Sequence, residues 1–373
     1  MPHAHRVPLP RRIEALARRF APDLADVAVT TPPLWRMLPR LFAQSSSHDF
    51  ERWLAEGRSF ARWAAAELRR GDVGPGDAIF GYTGAALELL DLARDRGAQG
   101  VIGQVSPGFS WYDIEEQEAA RQGHGGQGIR PDPRYVDRVT QEWDRAGRII
   151  VNSRFSSTCL VADGVPADKI TIAAPPIAPM PRAASPKSAP GPGAPLRVLF
   201  VGTLCFAKGI AYFGAVARRL AGPGFAFSAA GGAAIPDGVI AEKGWPITRL
   251  GHLGARDLEQ AYATHHVLVF PTLCDGFGLV QVEAQARGLP VIATTACGDV
   301  VLDRQSGFVV PPRDADALEA ALWALREDPD LFEAMSETAI RASVRFSPDA
   351  YADALLGGTG PGLDMGEKAL ADA

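Results

Sequence analysis

Only four cysteines occur in 373 residues, and none stands in a C-x-x-C pair. The gaps between Cys159, Cys205, Cys274 and Cys297 do not suit a zinc site. The chain therefore reads as one with reduced thiols in a cytosolic compartment. Lysine is scarce as well: Lys169, Lys187, Lys208, Lys243 and Lys368 are the only five among 38 basic residues. A lysine in an unusual setting is worth notice in so arginine-biased a chain. No apolar run approaches the ~20 residues that a membrane-spanning helix needs. Residues 1–12 are rich in Pro and Arg and lack the apolar segment of a secretory signal. The net charge of −5 argues against a chain built to neutralise nucleic-acid phosphates.

What is present describes a packed soluble protein. Hydrophobic residues make up 47% and charged residues 22%. At about 150 residues per domain the length allows roughly two domains. The 39 glycines and 30 prolines gather in loops and in one conspicuous run, APMPRAASPKSAPGPGAP at residues 178–195. That composition cannot form a core and reads as a semi-rigid linker. Beyond it, short apolar runs alternate with helical patterns. Strands are expected at residues 197–201, 225–230, 247–250, 266–270 and 291–294. Helices are expected at 209–220, 257–264 and 279–287, with two more opened by Asp314 and Asp330. Such alternation predicts βαβ units and a parallel sheet.

The first half is less regular. Residues 27–30, 78–82, 100–105 and 148–151 read as strands. Residues 11–20 and 87–96 read as helices, the second capped by Gly97, and Ser153 caps a third. The fold class expected is α/β, with two Rossmann-like domains facing a cleft. Ligands in open α/β sheets sit at the carboxyl ends of the strands, towards such a crevice.

Two segments carry chemistry. In VGTLCFAKG at residues 201–209 a buried strand ends, Gly202 and Thr203 begin a loop, and Lys208 stands where a helix opens. A helix N-terminus with a mobile cation suits a diphosphate. The spacing is not that of a Walker loop, and an ordinary turn with a surface lysine is the plain alternative. In PTLCDGFGLVQVE at residues 271–283 a polar loop with Asp275 and Gly276 leads into a helix bearing Glu283. A carboxylate accepts two vicinal hydroxyls at once, so two of them beside an anion site suit a sugar nucleotide. A capping Asp and a solvated Glu form the alternative. Glu283 sits among Val282, Ala284 and Ala286, where an unpaired carboxylate is costly.

These segments, together with LGHLGARDLEQAY, HVLVFPTLCDGFGLVQVEAQARGLPVIAT and SGFVVPPRDADALEAAL, resemble the donor domain of the family 4 (group 1) glycosyltransferases, which have the GT-B fold. The stretch DRAGRIIVNSRFSSTCLVADGVPADKITIAAPP resembles that family's last N-domain strand, helix and crossing. The resemblance implies an acceptor-side domain at residues 1–177, the linker at 178–195, a nucleotide-sugar domain at 196–346 and a tail at 347–373 that crosses back. It implies a retaining, metal-independent enzyme with no cofactor beyond a nucleotide-diphosphate sugar as co-substrate. Lys208 and Asp275 would be the catalytic pair, Lys208 on the diphosphate and Asp275 on the donor sugar. Gly202 and Thr203 would line the donor, and Glu283 would hold the ribose. The backbone around Phe277, Gly278, Leu279 and Val280 would meet sugar and phosphate, with Leu253 near the base. The partner acceptor would be a glycan or lipid-linked molecule.

Three departures stand out. Thr203 replaces the family's usual Arg. The first strand and its glycine-rich loop are not visible. The family's acceptor-side His has no counterpart at Val105-Ser106-Pro107, so Ser106, Tyr112 and Glu115 are candidates by position. A degenerate scaffold that partners an active transferase, or a sugar-nucleotide epimerase or phosphorylase of the same fold, are the other readings. Residues 1–70 hold twelve Arg against seven acids. Phe50, Trp53, Leu54, Phe60, Trp63, Ala64 and Leu68 recur there at helical spacing, which predicts an amphipathic helix packed on its own domain. A peripheral membrane contact through residues 50–70 is the alternative. Asp314-Ala-Asp316 resembles a metal-binding pair, but its place at a helix start makes capping the simpler role.

Overall fold

The computed structural model describes Thr30 and residues 50–125, 130–177, 182–235 and 238–356. The helix expected at 11–20 and the strand at 27–30 lie outside these residues, save Thr30, which is in no strand. Helix α1 (Phe50–Leu68) leads into the first sheet, built from β1 (Ala78–Tyr82), β2 (Gln99–Gln104), β3 (Arg148–Val151) and β4 (Ile170–Ile172). Its strands run parallel in that order. Helices α2 (Leu87–Arg96), α3 (Ser110–Arg121), α4 (Pro133–Arg145) and α5 (Arg154–Ala162) connect them.

The second sheet holds β5 (Leu196–Val201), β6 (Phe225–Ala230), β7 (Ile247–Gly251), β8 (Val267–Phe270), β9 (Val291–Thr294) and β10 (Gly307–Val310). Its order is β10-β9-β8-β5-β6-β7, again all parallel. Strands β8 and β9 are buried at every position, as expected for a sheet covered on both faces. The order reverses between β5 and β8, and the loops that follow these two strands open at that switch point. Helices α6 (Ile210–Leu220), α7 (Val239–Glu242), α8 (Ala255–Thr264), α9 (Leu279–Ala286), α10 (Ala315–Glu327) and α11 (Pro329–Ala342) surround it. The sequence reading had no strand at β10, which is only four residues long between Ser306 and Pro311. It also opened α11 at Asp330, whereas Asp328 is the cap and accepts from Leu331 N at 2.9 Å. Pro329 occupies the first helical position, where its missing N–H costs nothing.

The proline-rich run between the domains lies along the second one. Ala183 N donates to Ala286 O at 2.9 Å and Lys187 N to Ser336 Oγ at 2.7 Å. Helix α12 (Pro348–Leu355), the last described, rests on the first sheet. Tyr351, Ala354 and Leu355 pack on Val101, Ile150 and Ala173, and Arg148 donates to the carbonyls of Leu355 and Ala354 at 2.7 and 3.1 Å.

Helix α3 ties the domains on the other side. Glu115 is buried, and its carboxylate accepts from Phe206 N at 3.2 Å and from Ala207 N, both in the loop after β5. Burial pushes its carboxyl group up in pKa, against the pull of those two N–H groups. One turn on, fully buried Glu118 takes Tyr212 Oη at 2.9 Å and Arg313 Nε at 3.0 Å. Ala119 enters the main core of the second domain.

Two predictions follow from these ties and from the edge of β8. Glu115→Ala leaves two N–H groups without their acceptor and should cost about 1–3 kcal/mol, while Glu115→Gln keeps an acceptor oxygen and should cost less. Urea unfolding of both variants checks this, and an unchanged midpoint for Glu115→Ala would refute the tie. His266 Nδ1 accepts from Arg197 N at 2.9 Å, and burial with the nearby Arg197 and Lys187 charges takes its pKa down to about 4. Since the folded value lies below the ordinary 6.5, the contribution is complete above pH 6.5 and is lost as pH falls towards 4. The slope should reach about 1.4 kcal/mol per pH unit. Thermal midpoints across that window should fall less steeply in His266→Asn, and an equal slope would contradict the assignment.

Candidate functional site

A cleft of about 360 Å³ opens between the two sheets. Gly202, Lys208, Asp275 and residues 277–280 line it from the second domain. Tyr82, Gln104, Val105 and Asn152 face them from the first, and Tyr351 from α12 joins the wall. The structure therefore brings the two segments singled out in the sequence into one hollow. Lys208 Nζ bonds Asp275 Oδ2 and lies 5.8 Å from the centre of the Phe270 ring. Both partners are largely covered, with 22% and 15% of their side chains exposed, so a free anion entering the cleft meets a cation already held in place. Asp275 Oδ1 also accepts from Phe277 N at 3.2 Å, which sets the loop that opens α9.

That loop is held from the first domain. The Gly276 carbonyl accepts from Ser153 Oγ at 2.6 Å and from Ser156 Oγ at 3.1 Å. Ser153 does this while capping α5, where its oxygen accepts from Ser156 N at 3.1 Å. A Cβ at Gly276 would stand 2.2 Å from Val105 O, so only glycine permits this approach of the two backbones. Beside it Cys274 is in thiol contact with Cys159 of α5. Cys205, in the loop after β5, lies beside Glu115, and burial lifts its pKa to about 12. All four cysteines are buried and free of disulfides.

The remaining expected residues are not among those that line the cleft. Glu283 is half-buried on α9 and accepts from Tyr262 Oη at 2.8 Å, one turn beyond Leu279 and Val280. Burial and the Glu283 charge raise the Tyr262 pKa, so the phenol stays a donor. Leu253 is half-buried and packs with Val280 in one apolar cluster. Thr203 is exposed. Ser106 is exposed and accepts from Gln104 Nε2 at 3.0 Å. Tyr112 packs on Phe50 at a ring separation of 5.8 Å. Glu115 points at the backbone of the second domain, as described above. None of these last three lines the cleft.

Gln104 and Tyr82 do line it, and the sequence reading missed both. Gln104 is 2% exposed, and its Oε1 accepts from Thr83 Oγ1 at 2.5 Å and Trp143 Nε1 at 3.0 Å. The available signal was position, at the carboxyl ends of β2 and β1. Asp314 accepts from Ala317 N at 2.8 Å as the cap of α10, and Asp316 pairs with Arg219. Among the described residues no group of three or more His, Cys, Asp or Glu side chains is placed to hold a metal ion, and no helix is long and apolar enough to cross a membrane.

Residues 195–328 match the family profile described as Glycosyl transferases group 1. A D-inositol 3-phosphate glycosyltransferase of Corynebacterium kroppenstedtii is 36% identical over 124 residues, covering 30% of this chain and 28% of that protein. An O-antigen chain mannosyltransferase B of Escherichia coli is 33% identical over 107 residues, or 28% of this chain and 27% of that one. The chain thus matches little more than a quarter of the length of these curated relatives. Among solved structures, the sucrose-phosphate synthase of Thermosynechococcus elongatus superimposes with a TM-score of 0.62 at 20% identity, over 82% of this chain and 77% of its own. Anabaena HepE in complex with UDP-glucose gives 0.56 at 17% identity, over 80% and 82%. The two parallel sheets facing a cleft are the GT-B fold, and the second domain is similar over residues 195–328 to the group 1 glycosyltransferases.

Proposed function

We propose that the protein is a retaining glycosyltransferase that moves a sugar from a nucleotide-diphosphate sugar to a hydroxyl of a glycan, lipid-linked or other acceptor. The observation that carries this reading is the position of Lys208. One of five lysines in the chain, it stands in the interdomain cleft beside the openings of α6 and α9. A leaving diphosphate gathers negative charge, and an ammonium group with free helix N–H groups stabilises that charge without a metal ion. Asp275 holds Lys208 in readiness and would meet the donor sugar when the diphosphate draws the ammonium away. Glu283, steadied by Tyr262, is the ribose acceptor that the family resemblance implies. HepE has been solved with UDP-glucose, and a pneumococcal O-GlcNAc transferase with UDP and GlcNAc, which favours a uridine nucleotide here. Retention of configuration rests on the family resemblance. The free thiols agree with a cytoplasmic setting. A peripheral membrane contact through α1 has less behind it, because Arg52, Arg62 and Arg70 pair with Glu56, Glu88 and Glu67.

One observation favours a second reading. Thr203 stands where the family usually has Arg, so one charge-assisted contact worth about 1.5–3 kcal/mol is missing from the donor loop. A scaffold that has lost donor binding would show this. Calorimetry with a panel of nucleoside diphosphates separates the two, since the scaffold binds none. For the enzyme, Lys208→Ala and Glu283→Ala should each lower turnover of the nucleotide sugar by about 10²–10³ with the fold intact. Donor hydrolysis at the wild-type rate in both variants would remove the assignment.

A further inference from the structure

Trp53 and Phe60 are two turns apart on α1, and the structure leaves them 39% and 41% exposed although the sequence pattern assigned them to the packed face. The buried stripe of the helix is Phe50, Leu54, Ala61 and Ala65, which places both rings along one of its edges. Between them lies Gly57. A glycine inside a helix costs about 1 kcal/mol relative to alanine, and here the reason is packing: a Cβ would stand 2.2 Å from Gly84 O. The loop from β1 to α2 presses into that notch and makes the floor of a second hollow of about 360 Å³. Trp53, Phe60 and Tyr135 supply aromatic walls, and Glu56 and Thr83 supply oxygen.

The floor is rigid. Gly84 N donates to Glu142 Oε2 at 2.6 Å, Gly84 O accepts from Arg138 Nε at 3.0 Å, and Arg138 pairs with Glu88 at 2.6 Å. It also adjoins the cleft along the chain. Tyr82 lines the cleft and the next three residues line the outer hollow. Thr83 Oγ1 is bonded to Gln104, which belongs to the cleft wall.

We propose that this hollow is a binding subsite for an internal sugar of an extended glycan acceptor whose terminal sugar lies in the cleft against Tyr82. Flat rings that take the C–H face of a pyranose, beside a carboxylate and a hydroxyl that take its hydroxyls, fit a sugar better than a lipid chain or an apolar peptide. Among the described residues the lining holds no cation, and the nearby Arg52 and Arg138 are paired with Glu56 at 2.9 Å and Glu88 at 2.6 Å, so a neutral sugar suits the hollow better than a phosphorylated one. The inference deepens the glycosyltransferase reading and rests on it for the identity of the ligand as an acceptor.

The test is a binding array of mono- to hexasaccharides of glucose, galactose, mannose, rhamnose and N-acetylhexosamines, applied to the full chain. Wild type should bind at least one oligosaccharide series about tenfold more tightly than its monosaccharide. Trp53→Ala and Phe60→Ala should reduce that series to monosaccharide level, and Trp53→Phe should restore most of it. UDP binding should be unchanged in all three, which shows that the variants are folded. Oligosaccharides bound no better than monosaccharides, or no loss in the alanine variants, would overturn the proposal. Failure of the glycosyltransferase reading has a different signature: no nucleotide or nucleotide sugar binds, whatever the array shows.

Discussion

A carboxylate from one domain seated on backbone N–H groups of the other is the constraint on which the cleft depends. Glu115 reaches the loop between β5 and α6, two residues before Lys208. Ser153 and Ser156 do the equivalent at the opposite loop, on the carbonyl beside Asp275. Neither loop of the second domain is therefore positioned by its own sheet alone. The strands bring them to the switch point, and the first domain sets their final approach. Burying Glu115 and Glu118 opposes their charge, so each is tolerated only because N–H, hydroxyl or guanidinium donors surround it.

Within that frame the chemistry is a matter of where one ammonium group stands. Lys208 and Asp275 are far apart along the chain yet paired in the cleft, each covered enough to have lost most of its water. Such a pair is preorganised: each side chain is held in place in the cleft by the other. Among the described residues the charged groups of the cleft lining, Lys208 and Asp275, both come from the second domain. The first contributes tyrosine, glutamine, asparagine and backbone, surfaces suited to hydroxyl groups. The two walls of the cleft thus differ in polarity along the domain boundary.

The loop after β1 stands between this cleft and the groove on α1. Arg138, Glu142 and Glu88 hold it from behind, and Gly57 lets it close on the helix. One rigid turn consequently shapes two hollows.

The alternation of apolar runs and helical patterns was enough to determine the second domain as a parallel α/β unit, because period and strand length are local properties. The Ser153 and Asp314 caps were equally legible, since a capping side chain bonds residues three positions away. Lys208 and Asp275 come together because loops after parallel strands meet at one edge of a sheet. Tertiary structure alone decided the rest. Glu115 lies 91 residues from its partner and Ser153 lies 123 from Gly276. Trp53 and Phe60 match the apolar period of α1 yet stay on the surface, because Gly57 admits a backbone where side chains would otherwise pack. Periodicity tells which face of an element avoids water; it carries no information about which distant carbonyl, carboxylate or ring will cover that face.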